Sequence, residues 1–95
     1  MSNAGLSAYN LELTREAEKS LAFVWRADRR LYERFAAAFD DLCLDPWLGK
    51  PLQNTLKGFY SYRLGSYRIL YEIHQRQLRI IVIDLGHRKA IYGDH

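Results

Sequence analysis

The stretch YRLGSYRILYE, residues 62–72, decides how the second half of this chain folds. Two short alternating runs flank Gly65-Ser66, the pattern of a two-residue hairpin turn. Folding there sets Leu64 opposite Tyr67, Arg63 opposite Arg68 and Tyr62 opposite Ile69. Like charges directly opposite one another on neighbouring strands repel, so the arginine pair needs a reason. Two readings fit. The arginines are solvated cations on an exposed sheet face, or they wait for an anion whose geometry suits guanidinium forks, such as phosphate.

The register extends one strand further if Gln75-Arg76 makes a second tight turn. His74 then faces Gln77, Ile73 faces Leu78, Glu72 faces Arg79, Tyr71 faces Ile80 and Ile69 faces Val82. One face holds Tyr60, Tyr62, Leu64, Tyr67, Ile69, Tyr71, Ile73, Leu78, Ile80 and Val82, an apolar surface for helices to cover. The other holds Ser61, Arg63, Arg68, Leu70, Glu72, Arg79, Ile81 and Ile83. A one-residue slip would bury the arginines, so the register is well specified. Glu72 and Arg79 form an opposite-charge pair in it. Leu70, Ile81 and Ile83 are left to a partner segment or to the chain's own ends. The third strand, Leu78 to Leu85, ends beside the Gly65 turn. GHRKAIY, residues 86–92, therefore emerges there and carries Arg88, with His87 and Tyr92, toward the arginine pair.

Upstream, YNLEL (residues 9–13) alternates as a first strand, and Thr14 is placed to cap a helix with Glu16 in its first turn. That helix runs to Trp25 or Ala27. Asp28 can cap a second, in which Leu31, Phe35, Phe39 and Leu42 recur as a core-facing stripe until Asp45-Pro46 stops it. A helical hairpin and one bent helix both fit this pattern. WLGKPLQNTLKG (residues 47–58) reads as a loop, and AIY (residues 90–92) as a short last strand. The expected fold class is α+β, in the order β-α-α-β-β-β, with an antiparallel twisted sheet and a two-helix hairpin on one face.

At 95 residues, 48% apolar and 14% aromatic, the chain has the makings of one folded domain and not of a disordered tail. Residues 1–8 read as a disordered leader or tag remnant, and residues 9–95 as the domain. No apolar run approaches membrane-spanning length and no signal-peptide pattern opens the chain. The single cysteine, Cys43, cannot form an internal disulfide; it sits in a helical pattern as a small hydrophobe, which fits a reducing cytoplasm. Residues 1–56 carry seven Lys/Arg against eight Asp/Glu, and residues 57–95 seven against three. This asymmetry reads either as an ordinary basic surface or as the footprint of a phosphate-bearing partner on the C-terminal half.

LKGFYSYRLGSYRILYEI followed by LRIIVIDLGHRKAIY resembles the RelE/ParE superfamily of toxins from type II toxin–antitoxin modules, RelE-like more than ParE-like. The shared pattern is a strand ending in Arg, a Gly turn, Tyr-Arg, an aromatic-rich strand, then Gly-His-Arg and a later Tyr. The resemblance spans residues 9–92. It implies an mRNA interferase: an RNA endonuclease that cuts messenger RNA on the ribosome and inhibits translation. The RNA 2′-hydroxyl attacks the adjacent phosphate to leave a cyclic phosphate, with no metal or other cofactor. It also implies that Arg68 and Arg88 contact the scissile phosphate, with Arg63, Lys57 and Lys89 as further basic contacts and Tyr92 orienting or stacking on a base. Arginine cannot give up a proton near neutral pH, so His87 is the candidate general acid or base, with His95 a distant second. RelE-like enzymes carry lysines on the strand before the Gly turn, where this chain has Tyr60, Ser61 and Tyr62.

Expected partners are a cognate antitoxin, the ribosome with its mRNA, and operator DNA through the antitoxin, with no membrane. Two alternatives stand beside the nuclease. One is a ParE-like inhibitor of DNA gyrase; the other is an inactive module that binds its antitoxin and acts only in operon co-repression.

Overall fold

In a computed structural model, which describes residues 8–87, Thr14 caps helix α1 (Arg15–Ala27) and Asp28 caps helix α2 (Arg29–Leu44). The Thr14 hydroxyl accepts from the Ala17 N–H at 3.1 Å and donates to the Ile83 carbonyl at 2.7 Å. One side chain thus starts a helix and ties it to a strand 69 residues away. Asp28 closes one helix and opens the next: its N–H donates to the Val24 carbonyl and its carboxylate accepts from the Leu31 N–H at 3.0 Å. That double role makes a helical hairpin and not one bent helix. Thr14→Ala is expected to lower stability by about 1–2 kcal/mol, with Thr14→Ser restoring most of it, as read from urea unfolding midpoints.

The sheet has five strands: β1 (Asn10–Leu13), β2 (Lys50–Pro51), β3 (Tyr60–Leu64), β4 (Tyr67–His74) and β5 (Arg79–His87). Their order is β1-β5-β4-β3-β2. The expected α+β class and element order hold, with β2 added at one edge. The sheet is mixed, because β1 runs parallel to β5 while the other pairs are antiparallel. The β3–β4 register is the one read from the sequence, with Arg63 opposite Arg68. Gly65 at φ +65° gives the positive value that the first position of this tight turn requires.

The second hairpin differs from its expectation. Its turn is a 3-10 segment, Gln75–Gln77, closed by Leu78 in the left-handed region at φ 52°, ψ 47°. His74 therefore faces Arg79, Ile73 faces Ile80 and Tyr71 faces Val82. The two-residue displacement leaves the face assignments of Arg79 to Val82 intact, because the strand period is two. It does remove Leu78 from the apolar face, where it is exposed. It also dissolves the Glu72–Arg79 pair. Arg79 instead donates through Nε and Nη2 to the Glu12 carboxylate of β1 at 2.9 and 2.8 Å, and Glu72 meets His74 at 3.0 Å. The Arg79 hydrogen bonds hold the Glu12 carboxyl below the usual carboxylate range.

A bulge follows. Leu70 faces Asp84 while Tyr71 faces Val82, so Ile83 is the extra residue on β5. Beyond it the alternation of β5 is inverted, and Leu85, not Asp84, enters the core. That core joins Ala17, Val24, Leu31, Phe35, Ala38 and Leu42 of the helices to Ile69, Tyr71, Ile80, Val82 and Leu85 of the sheet. Leu70, on the face away from the helices, is nonetheless buried. Cys43 is partly buried, and burial with Asp40 nearby pushes its thiol pKa up. Among the described residues no helix is long and apolar enough to cross a membrane.

Candidate functional site

Alternation along β3 and β4 sends Tyr60, Tyr62, Tyr67 and Ile69 to the helices, and Ser61, Arg63 and Arg68 to the other side. There the segment after α2 folds back alongside β3, and a cleft of about 660 Å³ opens between them. Arg63 and Arg68 line it together with Lys50, Ser61, Gln53 and Asn54, and Leu48, Leu52 and Leu56 supply its apolar part. Among the described residues no acidic side chain lines it. The ion pairs among the described residues, Glu72–His74 and Glu12–Arg79, leave Arg63 and Arg68 uninvolved.

Arg68 is the informative member. It is half-buried, and its Nε is out of solvent with no hydrogen-bond partner among the described residues. An unmet buried donor costs about 1–3 kcal/mol, more when the group is charged. The molecule keeps it because β4 lies between β3 and β5, where pairing on both sides fixes the backbone. The cleft therefore holds two guanidiniums on one face, one with an N–H unmet, and among the described residues no carboxylate lines it to neutralise them. Such a site has the chemistry to receive an anion, and two forks side by side suit phosphate oxygens.

A buried hydroxyl helps to hold the outer wall of the cleft beside the β2–β3 pairing. Tyr71 Oη accepts from the Gly49 N–H at 3.0 Å and donates to the Pro46 carbonyl at 2.7 Å, all within the interior. Burial pushes the phenol up to about 12 from its ordinary 10, against the Gly49 hydrogen bond, which lowers it. A raised pKa means the folded protein holds this proton where the unfolded chain releases it. Its contribution to stability is therefore present below pH 10 and lost as pH rises toward about 12. Wild-type protein should lose stability over that window more steeply than Tyr71→Phe, as measured by urea unfolding at stepped pH.

The structure brings Arg63 and Arg68 together and separates His87 from them. His87 faces Tyr67 across β4 and β5, and its ring stands edge-on to that tyrosine at 5.7 Å. It lines a second cavity, about 690 Å³, with Phe23, Val24, Leu31 and Leu85 on the helix side. The bulge at Ile83 is the cause: it inverts β5, so His87 points with Leu85 and away from Arg68, although Arg68 itself faces Gly86. Lys57 is exposed after the 3-10 turn Asn54–Leu56 and is not part of the cleft wall. Arg88, Lys89, Tyr92 and His95 lie outside the described residues, as does the expected strand at residues 90–92. Reading the sequence missed Lys50. Its signal was its place in GKPL (residues 49–52), a stretch that fits the family resemblance but reads as loop. Among the described residues no three His, Cys, Asp or Glu side chains gather to hold a metal ion.

The site sits on a five-stranded sheet with a helical hairpin on one face and a basic cleft on the other. Residues 11–92 match the family described as ParE toxin of type II toxin-antitoxin system, parDE, and the chain belongs to this family. Toxin RelE of Mycobacterium tuberculosis is 34% identical over 90 residues, covering 88% of this chain and 86% of that protein. Toxin RelG of the same organism is 41% identical over 56 residues, covering 58% of this chain and 64% of that protein. Among solved structures, the toxin–antitoxin complex RelBE2 from M. tuberculosis gives a TM-score of 0.75 at 31% identity over 85% of this chain and 99% of that one. The intact E. coli RelBE complex shares the fold, with a TM-score of 0.70 at 20% identity over 84% and 96%. This chain is a toxin of a type II toxin–antitoxin system.

Proposed function

We propose that this toxin is a ribosome-dependent mRNA endonuclease and that the basic cleft holds the phosphate under attack. The observation that carries the reading is Arg68, with its Nε buried, beside Arg63 in a cleft where, among the described residues, that Nε has no partner and no acid lines the wall. In the reaction the RNA 2′-oxygen loses its proton and bonds to phosphorus. The bond from phosphorus to the 5′-oxygen breaks, and that oxygen gains a proton, leaving a cyclic phosphate on the upstream fragment. Charge accumulates on the non-bridging oxygens, where fixed guanidiniums stabilise it most. Arg63 and Arg68 serve in this way, and Arg88, Lys89, Lys57 and Tyr92 are the further RNA contacts that the family resemblance implies. His87 has no part in holding phosphate on this reading, since it faces the helix side. The cellular setting is the cytoplasm, with a cognate antitoxin that covers the cleft and links the toxin to operator DNA.

The test is a defined mRNA translated in a purified system with toxin freed of antitoxin. New 5′ ends mapped by primer extension should fall in phase with the reading frame. Uncut message from protein that still arrests growth would refute the nuclease and direct the next assay to DNA gyrase supercoiling, the activity that the family name suggests.

A further inference from the structure

The cleft has a wall that neither arginine explains. Its two-residue strand β2 contains Pro51, which has no N–H to offer, and so short an edge strand has little hold of its own. Yet it carries a lysine into the cleft. Lys50 faces Ser61, and directly opposed residues in an antiparallel pair project to the same side. Ser61 and Arg63 share that side, two residues apart on β3. From strand spacing and rise, the Lys50 backbone lies roughly 8 Å from that of Arg63, a span that two long cationic side chains close over one or two consecutive phosphates. Lys50 belongs to neither ion pair found among the described residues.

Something must fix the strand. Tyr71 bonds the chain just before it, at Gly49 and Pro46, the Leu52 N–H just after it donates to the Phe59 carbonyl at 2.9 Å, and Tyr60 stacks on Tyr71 at 5.7 Å while Trp47 meets Tyr60 edge-on at 5.8 Å. Gly49 is required because a Cβ there would collide with the Tyr71 ring.

We propose that Lys50 is the third phosphate-binding cation of the cleft, and that the Tyr71 hydroxyl is the positioning residue that sets it there. This deepens the nuclease reading and rests on it. The lysine sits on the strand beside β3, and it restores to this cleft an ammonium that Tyr60, Ser61 and Tyr62 do not supply.

The test is single-turnover cleavage of mRNA on programmed ribosomes, across a salt series, below the melting midpoint of each variant. Lys50→Ala should slow cleavage about tenfold or more and flatten its salt dependence, while Lys50→Arg stays within about threefold of wild type. Tyr71→Phe should reproduce the loss, and the double variant should be little worse than either single one. A lysine that only blunts the sheet edge would leave the rate and the salt slope unmoved on Lys50→Ala. That result, with Arg68→Ala still inactive, would overturn the Lys50 assignment and keep the nuclease. Full additivity of Tyr71→Phe with Lys50→Ala would overturn the positioning role. A wild-type protein that never cuts would remove both readings.

Discussion

Arg68→Ala is expected to slow mRNA cleavage by about a hundredfold to a thousandfold while leaving the fold as stable as before, or more so. The first half follows from where charge develops. A donor held ready for a transition-state oxyanion in a water-poor site is worth far more than one in solvent, and deleting one such donor costs about that factor. The second half follows from the buried Nε with no partner among the described residues. Most buried polar side chains stabilise the fold through bonds they make; this one makes none with Nε, so its removal deletes a desolvation cost. Activity and stability should therefore move in opposite directions, as read from single-turnover rates and urea midpoints on the same preparations. Arg68→Lys should recover only part of the rate, since an ammonium lacks the planar fork. Arg63→Ala should cost less than Arg68→Ala, because Arg63 is exposed and solvent already shares its charge. A destabilised Arg68→Ala with unchanged cleavage would reverse the assignment and make the residue a packing element.

Gly49→Ala is expected to destabilise the domain by about 3 kcal/mol, large for a change of one methyl at a position whose backbone suits any residue. Gly49 lies at φ −79°, so no left-handed strain is involved. The reason is space: an added Cβ would strike the Tyr71 hydroxyl and lie 2.9 Å from its ring carbon Cε1. Tyr71 is fully buried and cannot step aside. Either the ring shifts within a packed core, at about 1–3 kcal/mol, or the segment moves out. Moving out would break two buried hydrogen bonds, each worth about 1 kcal/mol or more. Urea unfolding of Gly49→Ala against wild type measures this directly, and a change below about 1 kcal/mol would show that the wall yields freely.

Local chemistry made part of this fold readable from sequence. Thr14, Asp28 and Gly65 each serve a backbone need that few residues meet, so both helix starts and the arginine-bearing hairpin stand where their side chains predict. The apolar face survived a displaced register because the displacement was even. What escaped reading has no local signature. Leu78 is an unusual residue for a left-handed turn position, and nothing in ILYEI or IIVID marks the bulge at Ile83. That one residue decides where His87 points, so the site was half visible: the arginine pair was readable, while the histidine's face was not. Lys50 was hidden for a related reason. Pairing between β2 and β3 is settled by Tyr71, which lies 22 residues from Gly49.

The parallel pairing of β1 with β5 bears on how the toxin comes into being. Asn10 to Leu13 lie beside Arg79 to Val82, so β1 finds its neighbour only after both helices and the β3–β4 hairpin have been made. Contacts so distant in sequence are closed late, after the loop entropy of the intervening chain has been overcome. During synthesis the helices and the central hairpin can form, but neither the Thr14–Ile83 tie nor the inverted end of β5 can exist until β5 has left the ribosome. A translating ribosome thus carries an unfinished sheet until β5 has emerged.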